Sequence, residues 1–379
     1  MNCINQLKLV AVSLLLSPLL VSAYPLDGYP ETGIRRVEGA RMAHEGIVSG
    51  SKQPAGALLS TEQVDLRLLD HSDMELPEPD PKFTAEILSL LGANADRYGV
   101  AVLDISNPDQ PRYAEHRGDY RQNVGSVGKL VVALGLFQAL ADAWPDDLEK
   151  RVQILHDSVV TADQFSRSDH HTIRIFDVDN RKLTRRTMQV GDQGTLWEYL
   201  DWMLSVSSNS AAAMTMREAM LLKHDGKDYP PSEEEIQRFF KETPGKERTD
   251  LFQRTFFDAV SRNDLDIEQL RQGSFFTRQG KAVVNGGGNS YGTARELMKF
   301  TLRMEQGRLV DEFSSRQLKR LLYMTERRIR YASSPALRDS AVYFKSGSRY
   351  SCREEEGFQC RPYMGNNKNY MNSVAIIES

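Results

Sequence analysis

A continuous apolar run from Leu130 to Phe137, preceded directly by Gly125-Ser126-Val127-Gly128-Lys129, constrains the fold more than any other part of this chain. The run predicts a helix that is buried on all sides. Ser126 and Lys129 are three residues apart, so they lie on one side of the first helical turn. An amine drawn out of water has a lowered pKa and can accept a proton from a neighbouring hydroxyl, and the free N–H groups of a helix N-terminus can stabilise an oxyanion. The segment therefore carries a candidate nucleophile, its candidate base and part of an oxyanion hole.

Ser-x-x-Lys alone is a weak signal, because the same residues also occur as a helix-capping serine and a lysine whose stem is buried. A phosphate-binding loop is excluded, since residues 123–130 lack its first glycine and carry Leu130 where Ser or Thr would hold magnesium. The nucleophile elbow of many hydrolases is also excluded, because Val124 occupies the position of its first glycine. The chemistry of Ser126 must therefore be judged from its combination with other motifs.

Residues 1–23 have the composition of a secretory signal peptide. Lys8 is their one charged residue, residues 9–21 are predominantly apolar, and Val21-Ser22-Ala23 offers small residues for cleavage. Pro18 interrupts the apolar stretch, which is too short to span a bilayer. We therefore expect a secreted or periplasmic bacterial protein with no membrane span.

Charge and cysteine content narrow the class further. The net charge is −4, or −5 once Lys8 leaves with the signal peptide, so nothing indicates a nucleic-acid partner. Cys3 lies within the signal peptide, which leaves Cys352 and Cys360 on either side of a short polar loop. In an oxidising compartment this pair favours a disulfide over a metal site.

The mature chain divides into an N-terminal extension, residues 24–81, and one domain, residues 82–379. The extension is rich in Gly, Pro and Ser and shows no sustained period, which predicts an extended segment. For the domain we expect an α/β fold: an antiparallel sheet from both ends of the chain, flanked by helices, and an all-helical region over about 130–335. The charged insertion at 150–193 is expected to be irregular. The charged insertion at 223–264 is expected to contain a helix of its own.

Two more short motifs carry polar chemistry. Ser207-Ser208-Asn209 stands where one helical pattern ends and another begins, and plain capping of the second helix by Ser208 or Asn209 is the alternative reading. Lys345-Ser346-Gly347-Ser348 ends a predicted strand. A cation and a hydroxyl at a strand edge suit a carboxylate, and a glycine there lets a ligand approach the backbone.

Two further clusters suggest metal ligands but do not complete a site. His170-His171 is a pair of a kind common on protein surfaces, and Asp177-Val178-Asp179-Asn180 lacks the glycine and the distal glutamate of a calcium loop. We expect no metal and no other cofactor.

In order and in context, the motifs at Ser126, Ser207 and Lys345 resemble those of the serine β-lactamase and penicillin-binding protein superfamily, most closely its class A β-lactamase-like branch. The resemblance covers about residues 82–379. It implies a β-lactamase/transpeptidase-like fold, a serine hydrolase acting on an amide, and a small-molecule β-lactam or cell-wall peptide as the substrate of a monomeric enzyme.

The resemblance also implies a role for each motif residue. Ser126 would be the acylated nucleophile, Lys129 its base, and Ser207 the relay that protonates the leaving nitrogen. Asn209 would bind the amide side chain of the substrate. Lys345 and Ser346, followed by Gly347, would hold the substrate carboxylate, and the N–H groups of Ser126 and Ser348 would form the oxyanion hole.

The chain departs from the family pattern at the residue that releases the acyl group. Class A β-lactamases carry a glutamate that activates water on a loop between the second and third motifs, whereas no Asp or Glu occurs here between Glu268 and Glu296. Glu268 is the nearest candidate. A missing base implies slow deacylation, which suits a penicillin-binding peptidase; a catalytically impaired binding protein of the same fold is the other alternative.

A second departure concerns the sheet. In the family a further strand and a C-terminal helix follow the strand after the third motif, whereas the sequence here ends at Ser379. Three explanations stay open: an incomplete sequence, a gap filled by the N-terminal extension near residues 56–69, or an impaired protein.

We predict that the mature protein begins near Tyr24, is recovered outside the cytoplasm, and contains no free thiol until it is reduced. N-terminal sequencing of the exported protein and thiol titration before and after reduction would check this. Two titratable thiols in the native protein would contradict the predicted pairing of Cys352 with Cys360.

Overall fold

The computed structural model of the protein describes residues 25–50, 53–326, 328–361 and 363–379. The predicted signal peptide, residues 1–23, lies outside the described residues.

Helices account for more of the described residues than strands do. They are α1 (Tyr29–Thr32), α2 (Arg35–His44), α3 (Pro81–Leu91), α4 (Lys129–Ala143), α5 (Leu148–Asp157), α6 (Leu196–Leu204), α7 (Asn209–Asp225), α8 (Glu233–Glu242), α9 (Gly245–Arg262), α10 (Arg278–Val283), α11 (Ala294–Glu305) and α12 (Glu312–Tyr323).

The strands form antiparallel pairs: β1 (Val100–Asp104) with β2 (Arg112–His116), β3 (Val159–Thr161) with β6 (Gln193–Thr195), β4 (Thr172–Asp177) with β5 (Lys182–Thr187), β7 (Leu270–Arg271) with β8 (Tyr291–Gly292), and β9 (Ala341–Ser351) with β10 (Lys368–Glu378). The mixed architecture and the antiparallel pairing agree with the predicted α/β class.

The two ends of the domain supply strands, as expected, but not one continuous sheet. Within the described residues, β1 bonds only to β2 and β10 only to β9. The region expected to be all-helical, about residues 130–335, consists mainly of long helices. It also contains the short strand pairs β3–β6, β4–β5 and β7–β8. Residues 150–193, expected to be irregular, consist of α5 and the strands β3 to β5 joined by loops.

The predicted core helix α4 lies at the centre of the protein. Every residue from Lys129 to Leu140 is buried, and the helix packs against α6, α7 and α9. Among the described residues, Gly125–Ala143 is the one stretch long and apolar enough to cross a membrane, and 83% of its most apolar window is buried inside the protein. Its apolar surface is thus covered by neighbouring helices, as in the core of a soluble domain.

The N-terminal extension is more ordered than the sequence predicts. It forms α1 and α2, and residues 56–69 cross α12 and the start of β9 without forming a strand. Gly56 N–H donates to Arg338 O over 3.2 Å, and Leu68 N–H donates to Glu305 O over 3.1 Å. This segment packs beside the strands and does not extend either pair.

A buried charge cluster ties the extension to the helical core. Arg36 of α2 forms two hydrogen bonds to Asp201 of α6, lies 3.4 Å from Glu326, and donates to Met324 O over 2.9 Å. Asp201 is fully buried, and burial raises the pKa of Glu326, opposed chiefly by the charge of Arg36. The guanidinium therefore compensates two carboxylates that have lost their water.

The predicted disulfide between Cys352 and Cys360 is confirmed, with a Cα–Cα distance of 5.9 Å. It closes the connection between β9 and β10.

Replacing Arg36 with Ala should lower the free energy of unfolding by about 3–5 kcal/mol, because Asp201 would be left buried without its cation and Glu326 would keep only Arg174. Urea unfolding followed by circular dichroism would measure it. Arg41→Ala on the same helix is the matched control: Arg41 pairs with Glu38 and Glu45 near solvent, and such pairs contribute about 1 kcal/mol or less. Equal losses for the two variants would contradict the proposed role of the buried cluster.

Candidate active site

Ser126 lies in a short 3₁₀ turn, Gly125–Gly128, that leads directly into α4. The predicted helix therefore begins three residues later than expected. The relation between Ser126 and Lys129 survives, because residues three apart also lie above one another in a 3₁₀ turn. Lys129 Nζ lies 3.0 Å from Ser126 Oγ.

Lys129 connects the first and second motifs. Its side chain is completely buried, and besides Ser126 Oγ it contacts Ser207 O at 2.7 Å, Asn209 Oδ1 at 2.8 Å and Ser207 Oγ at 3.4 Å. The ring of Phe276 covers it, with the centroid 4.8 Å from Nζ. The amine is therefore held at the nucleophile by polar atoms on one side and shielded by an aromatic face on another.

Ser207 lies between two lysines. Its Oγ accepts a hydrogen bond from Lys345 Nζ over 2.9 Å and is 3.4 Å from Lys129 Nζ. The backbone of Ser207 has φ 66°, a left-handed conformation that costs free energy for a residue with a side chain. Ser208 then caps α7 by accepting from Ala211 N–H, so the corner combines capping with the contacts of Ser207.

The third motif lies against the turn that contains Ser126, backbone to backbone. A methyl group built on Gly347 would be 2.0 Å from Val124 O and 2.9 Å from Ser126 N, and one built on Gly125, which has φ +56°, would be 2.7 Å from Ser348 N. The sequence suggests that Gly347 lets a ligand approach the backbone. In the structure Gly347 also lets β9 approach the turn that contains Ser126. The contact brings the N–H groups of Ser126 and Ser348 to the same region.

A second layer of side chains holds the segment that precedes Ser126. Asn372 of β10, opposite Gly347 in the register, hydrogen-bonds to Gln122 and donates to Asn123 O over 3.2 Å. Arg330 donates to Asn372 O over 2.8 Å and to Ser348 Oγ over 3.1 Å. These contacts fix the distance between the nucleophile turn and β9.

Asp169 supports the second motif from outside. Its side chain is 1% exposed, and its carboxylate accepts from Ser208 Oγ, Asn209 N and Ser210 N, and from His171 Nδ1 over 2.6 Å. Burial raises the pKa of Asp169, but the hydrogen bond and charge of His171, followed by the backbone N–H groups, outweigh it and hold the pKa well below its usual range. An ionised Asp169 therefore fixes the start of α7.

The predicted site residues surround one cleft of about 440 Å³. Ser126, Ser207, Asn209, Ser346, Gly347 and Ser348 line it, and Lys129 and Lys345 lie directly behind its wall. Asp169, His170 and His171 have potential ligand atoms within 4.8 Å of one another. Both oxygens of Asp169 already accept hydrogen bonds, which compete with any metal.

Comparison with known proteins identifies the family. Residues 82–363, more than half of the 379-residue chain, match the model of the Beta-lactamase enzyme family (Beta-lactamase2). The chain belongs to this family. The predicted membership of the serine β-lactamase and penicillin-binding protein superfamily and the predicted fold class are thereby confirmed. No curated protein sequence matches the chain.

Solved structures of the superfamily are similar to the chain at low identity. PBP-A is 14% identical over 72% of this chain and 80% of its own, with a TM-score of 0.41. A β-lactamase from Sphaerobacter thermophilus is 12% identical over 71% and 78%, with a TM-score of 0.41. The class A β-lactamase of the last common ancestor of Gram-negative bacteria is 18% identical over 78% and 83%, with a TM-score of 0.43. The assignment rests on the family match and not on these scores.

In this β-lactamase-family protein, no described residue between the second and third motifs brings a carboxylate to the cleft. Gln272 and Phe276 lie there: Gln272 lines the cleft, is 3% exposed and donates to Ser274 O over 2.6 Å. The side chain of Glu268 is instead 62% exposed and lies 3.5 Å from Arg121 at the surface. Glu268 does not line the cleft.

The sequence reasoning missed Asp169, Asn372 and Phe276. The pair His170-His171 beside Asp169 suggests metal ligands in the sequence, and its spacing gives no sign that Asp169 accepts hydrogen bonds from the start of α7. Nothing in the sequence pattern links Phe276, more than 60 residues from every motif, or Asn372, 24 residues beyond Ser348 on the next strand, to the site.

Asp169→Asn should lower the free energy of unfolding by about 2 kcal/mol at pH 7, since charged hydrogen bonds at the start of α7 are weakened. The folded pKa lies below the unfolded value of about 3.9, so this contribution is complete above that pH and is lost as the pH falls below it. Urea unfolding from pH 7 to pH 3 should show the difference from wild type shrinking. Asp179→Asn, an exposed change in the β4–β5 hairpin, is the control, and a difference that stays constant with pH would contradict the argument.

Proposed function

We propose that this protein is an exported serine hydrolase whose Ser126 is acylated by a β-lactam or by the amide of a D-alanyl peptide. The observation that carries the proposal is the position of Lys129 Nζ, 3.0 Å from Ser126 Oγ and 2.8 Å from Asn209 Oδ1, behind a cleft lined by all three motifs. A buried amine within hydrogen-bond reach of a serine hydroxyl is the arrangement that activates the nucleophile.

In the proposed acylation, Ser126 Oγ attacks the amide carbonyl carbon and its proton passes to Lys129 Nζ. The N–H groups of Ser126 and Ser348 stabilise the negative oxygen of the tetrahedral intermediate. Ser207 Oγ gives a proton to the leaving nitrogen and regains one through Lys129. The contacts of Ser207 Oγ with Lys345 and Lys129 support this relay.

The same proposal assigns the binding groups. Lys345 and the hydroxyl of Ser346 attract the carboxylate on the leaving-group side of the substrate, because an ammonium and a hydroxyl donor form charge-assisted hydrogen bonds with it. Asn209 accepts from Lys129 through Oδ1, so its amide nitrogen is the donor for the carbonyl of the substrate's acyl side chain.

Release of the acyl group is proposed to be slow. Hydrolysis of the ester needs a base to activate water, and the carboxamide of Gln272 cannot serve as one near neutral pH. Loss of general-base assistance costs about 10²- to 10⁴-fold in rate. Slow release is typical of a penicillin-binding peptidase and not of a fast β-lactamase. Assays with a chromogenic cephalosporin, D-alanyl-D-alanine peptides and simple esters would distinguish these activities.

The retention of all three motifs argues against a binding protein that has lost catalysis. Export to the periplasm or the outside is part of the proposal and is supported by the disulfide, which forms in oxidising compartments.

Intact-mass spectrometry after mixing with benzylpenicillin should reveal a long-lived adduct with the mass of the whole drug. Ser126→Ala should form none, and Lys129→Ala should form it about 10²- to 10⁴-fold more slowly, because the base is lost. Glu268→Gln is the matched control, since this exposed carboxylate should not affect the lifetime of the adduct.

Two results would change the mechanism. Rapid multiple turnover in both wild type and Glu268→Gln would mean that another group activates the water. Turnover abolished by Glu268→Gln would make Glu268 the base and the protein a β-lactamase.

A further inference from the structure

Within the part of the chain that the structure describes, no acidic side chain lines the cleft, although the chain has 52 acidic and 48 basic residues. Its basic lining residues are Lys281, Arg349, His170 and His171. Asp169 lies behind the two histidines, with a side chain that is 1% exposed and hydrogen-bonded through both oxygens. The open part of the cleft therefore presents positive charge that no carboxylate in its lining offsets.

Lys281 is held in a defined place by the helix that carries it. Thr277 caps α10, and its hydroxyl donates to Phe165 O over 2.7 Å. The Lys281 side chain is exposed, and among the described residues no carboxylate lies within ion-pair distance of it. The backbone of Lys281 is thus held in place, and its ammonium group is available to a ligand.

Lys281 lies on the side of the cleft away from β9. Its helix packs against the 3₁₀ turn Gln164–Ser166, and the chain continues from that turn to His170 and His171. Arg349, in contrast, is two residues beyond Gly347 on β9, where the leaving-group carboxylate is proposed to bind. Asn209, whose N–H donates to Asp169, marks the acyl side of the substrate. Lys281 and the two histidines therefore face the acyl side.

We propose that the cleft selects amide substrates that carry a second anionic group on the acyl side, and that Lys281 is the residue that determines this preference. The inference rests on the proposed function, because it uses the orientation in which Ser126 is acylated. The imidazoles of His170 and His171 supply further hydrogen-bond donors beside Lys281.

Three penicillins that differ at one carbon of the acyl side chain test the proposal. Benzylpenicillin has hydrogen there, carbenicillin a carboxylate and ampicillin an ammonium group. The second-order rate constant of adduct formation, measured by mass spectrometry at low salt, should follow the order carbenicillin, benzylpenicillin, ampicillin, with about a tenfold span between the extremes for partly screened charges. The span should shrink in 0.5 M NaCl.

Variants locate the effect. Lys281→Glu should reverse the order of carbenicillin and ampicillin, and Lys281→Arg should keep it. Lys227→Gln is the matched control: this exposed lysine follows the far end of α7, a 17-residue helix about 25 Å long, and its loss should not change the ratio. Thermal unfolding of each variant checks that the fold is kept.

The possible outcomes separate the two proposals. Adducts that form equally fast with all three penicillins would overturn the charge preference and leave the proposed function standing. A preference that persists in Lys281→Glu would overturn the role of Lys281. The absence of an adduct with any of them would overturn the proposed function and this inference together.

Discussion

The burial of Lys129 is the constraint on which the rest of the site depends. A lysine amine without exposure is costly unless polar atoms surround it, and here Ser126, Ser207 and Asn209 supply them. These acceptors come from a turn before α4 and from the corner between α6 and α7, so α4 and α7 must pack at a fixed distance. The apolar body of α4 provides that packing. One buried amine thus connects the core of the protein to its chemistry.

A second constraint acts through the backbone. The turn at Gly125 and the strand at Gly347 are so close that a methyl group on either would collide with main-chain atoms of the other. This contact sets the separation of the N–H groups of Ser126 and Ser348 without any side chain between them. Asn372 and Arg330 hold the same two segments from the side. The proposed oxyanion site is therefore as rigid as the packing of β9 on the turn.

How much of this could be predicted from the sequence depends on whether the signal is local. Helix α4, the capping box at Thr195 and Glu198, and the disulfide were all predictable, because each rests on neighbours in sequence. Helix α3 is also indicated locally, by the helical spacing of Phe83, Ile87, Leu90 and Leu91, yet Leu90 is 81% exposed because periodicity does not determine what covers a face. The ordering of α1 and α2 depends on contacts such as Arg36 with Asp201, 165 residues away. Contacts between residues so far apart in the chain produce no local sequence pattern from which they could be predicted.

The same distinction holds in the site. The three motifs were readable because each is a short run with its own chemistry, whereas the supports are single residues distant in sequence. Asp169 gains its role only once the fold brings it to the start of α7.

The absence of carboxylates in the cleft links the two proposals physically. A glutamate at the position of Gln272 would supply the base for hydrolysis, but its charge would also repel an anionic substrate from Lys281 and from the Lys345-Ser346 pair. A cleft lined by amides, hydroxyls, aromatic rings and cations lacks the base for hydrolysis but still attracts an anionic substrate. The two proposals, slow release and a preference for anionic substrates, thus rest on one feature of the cleft's composition. The exposed Glu268, already beside Arg121, contributes to neither.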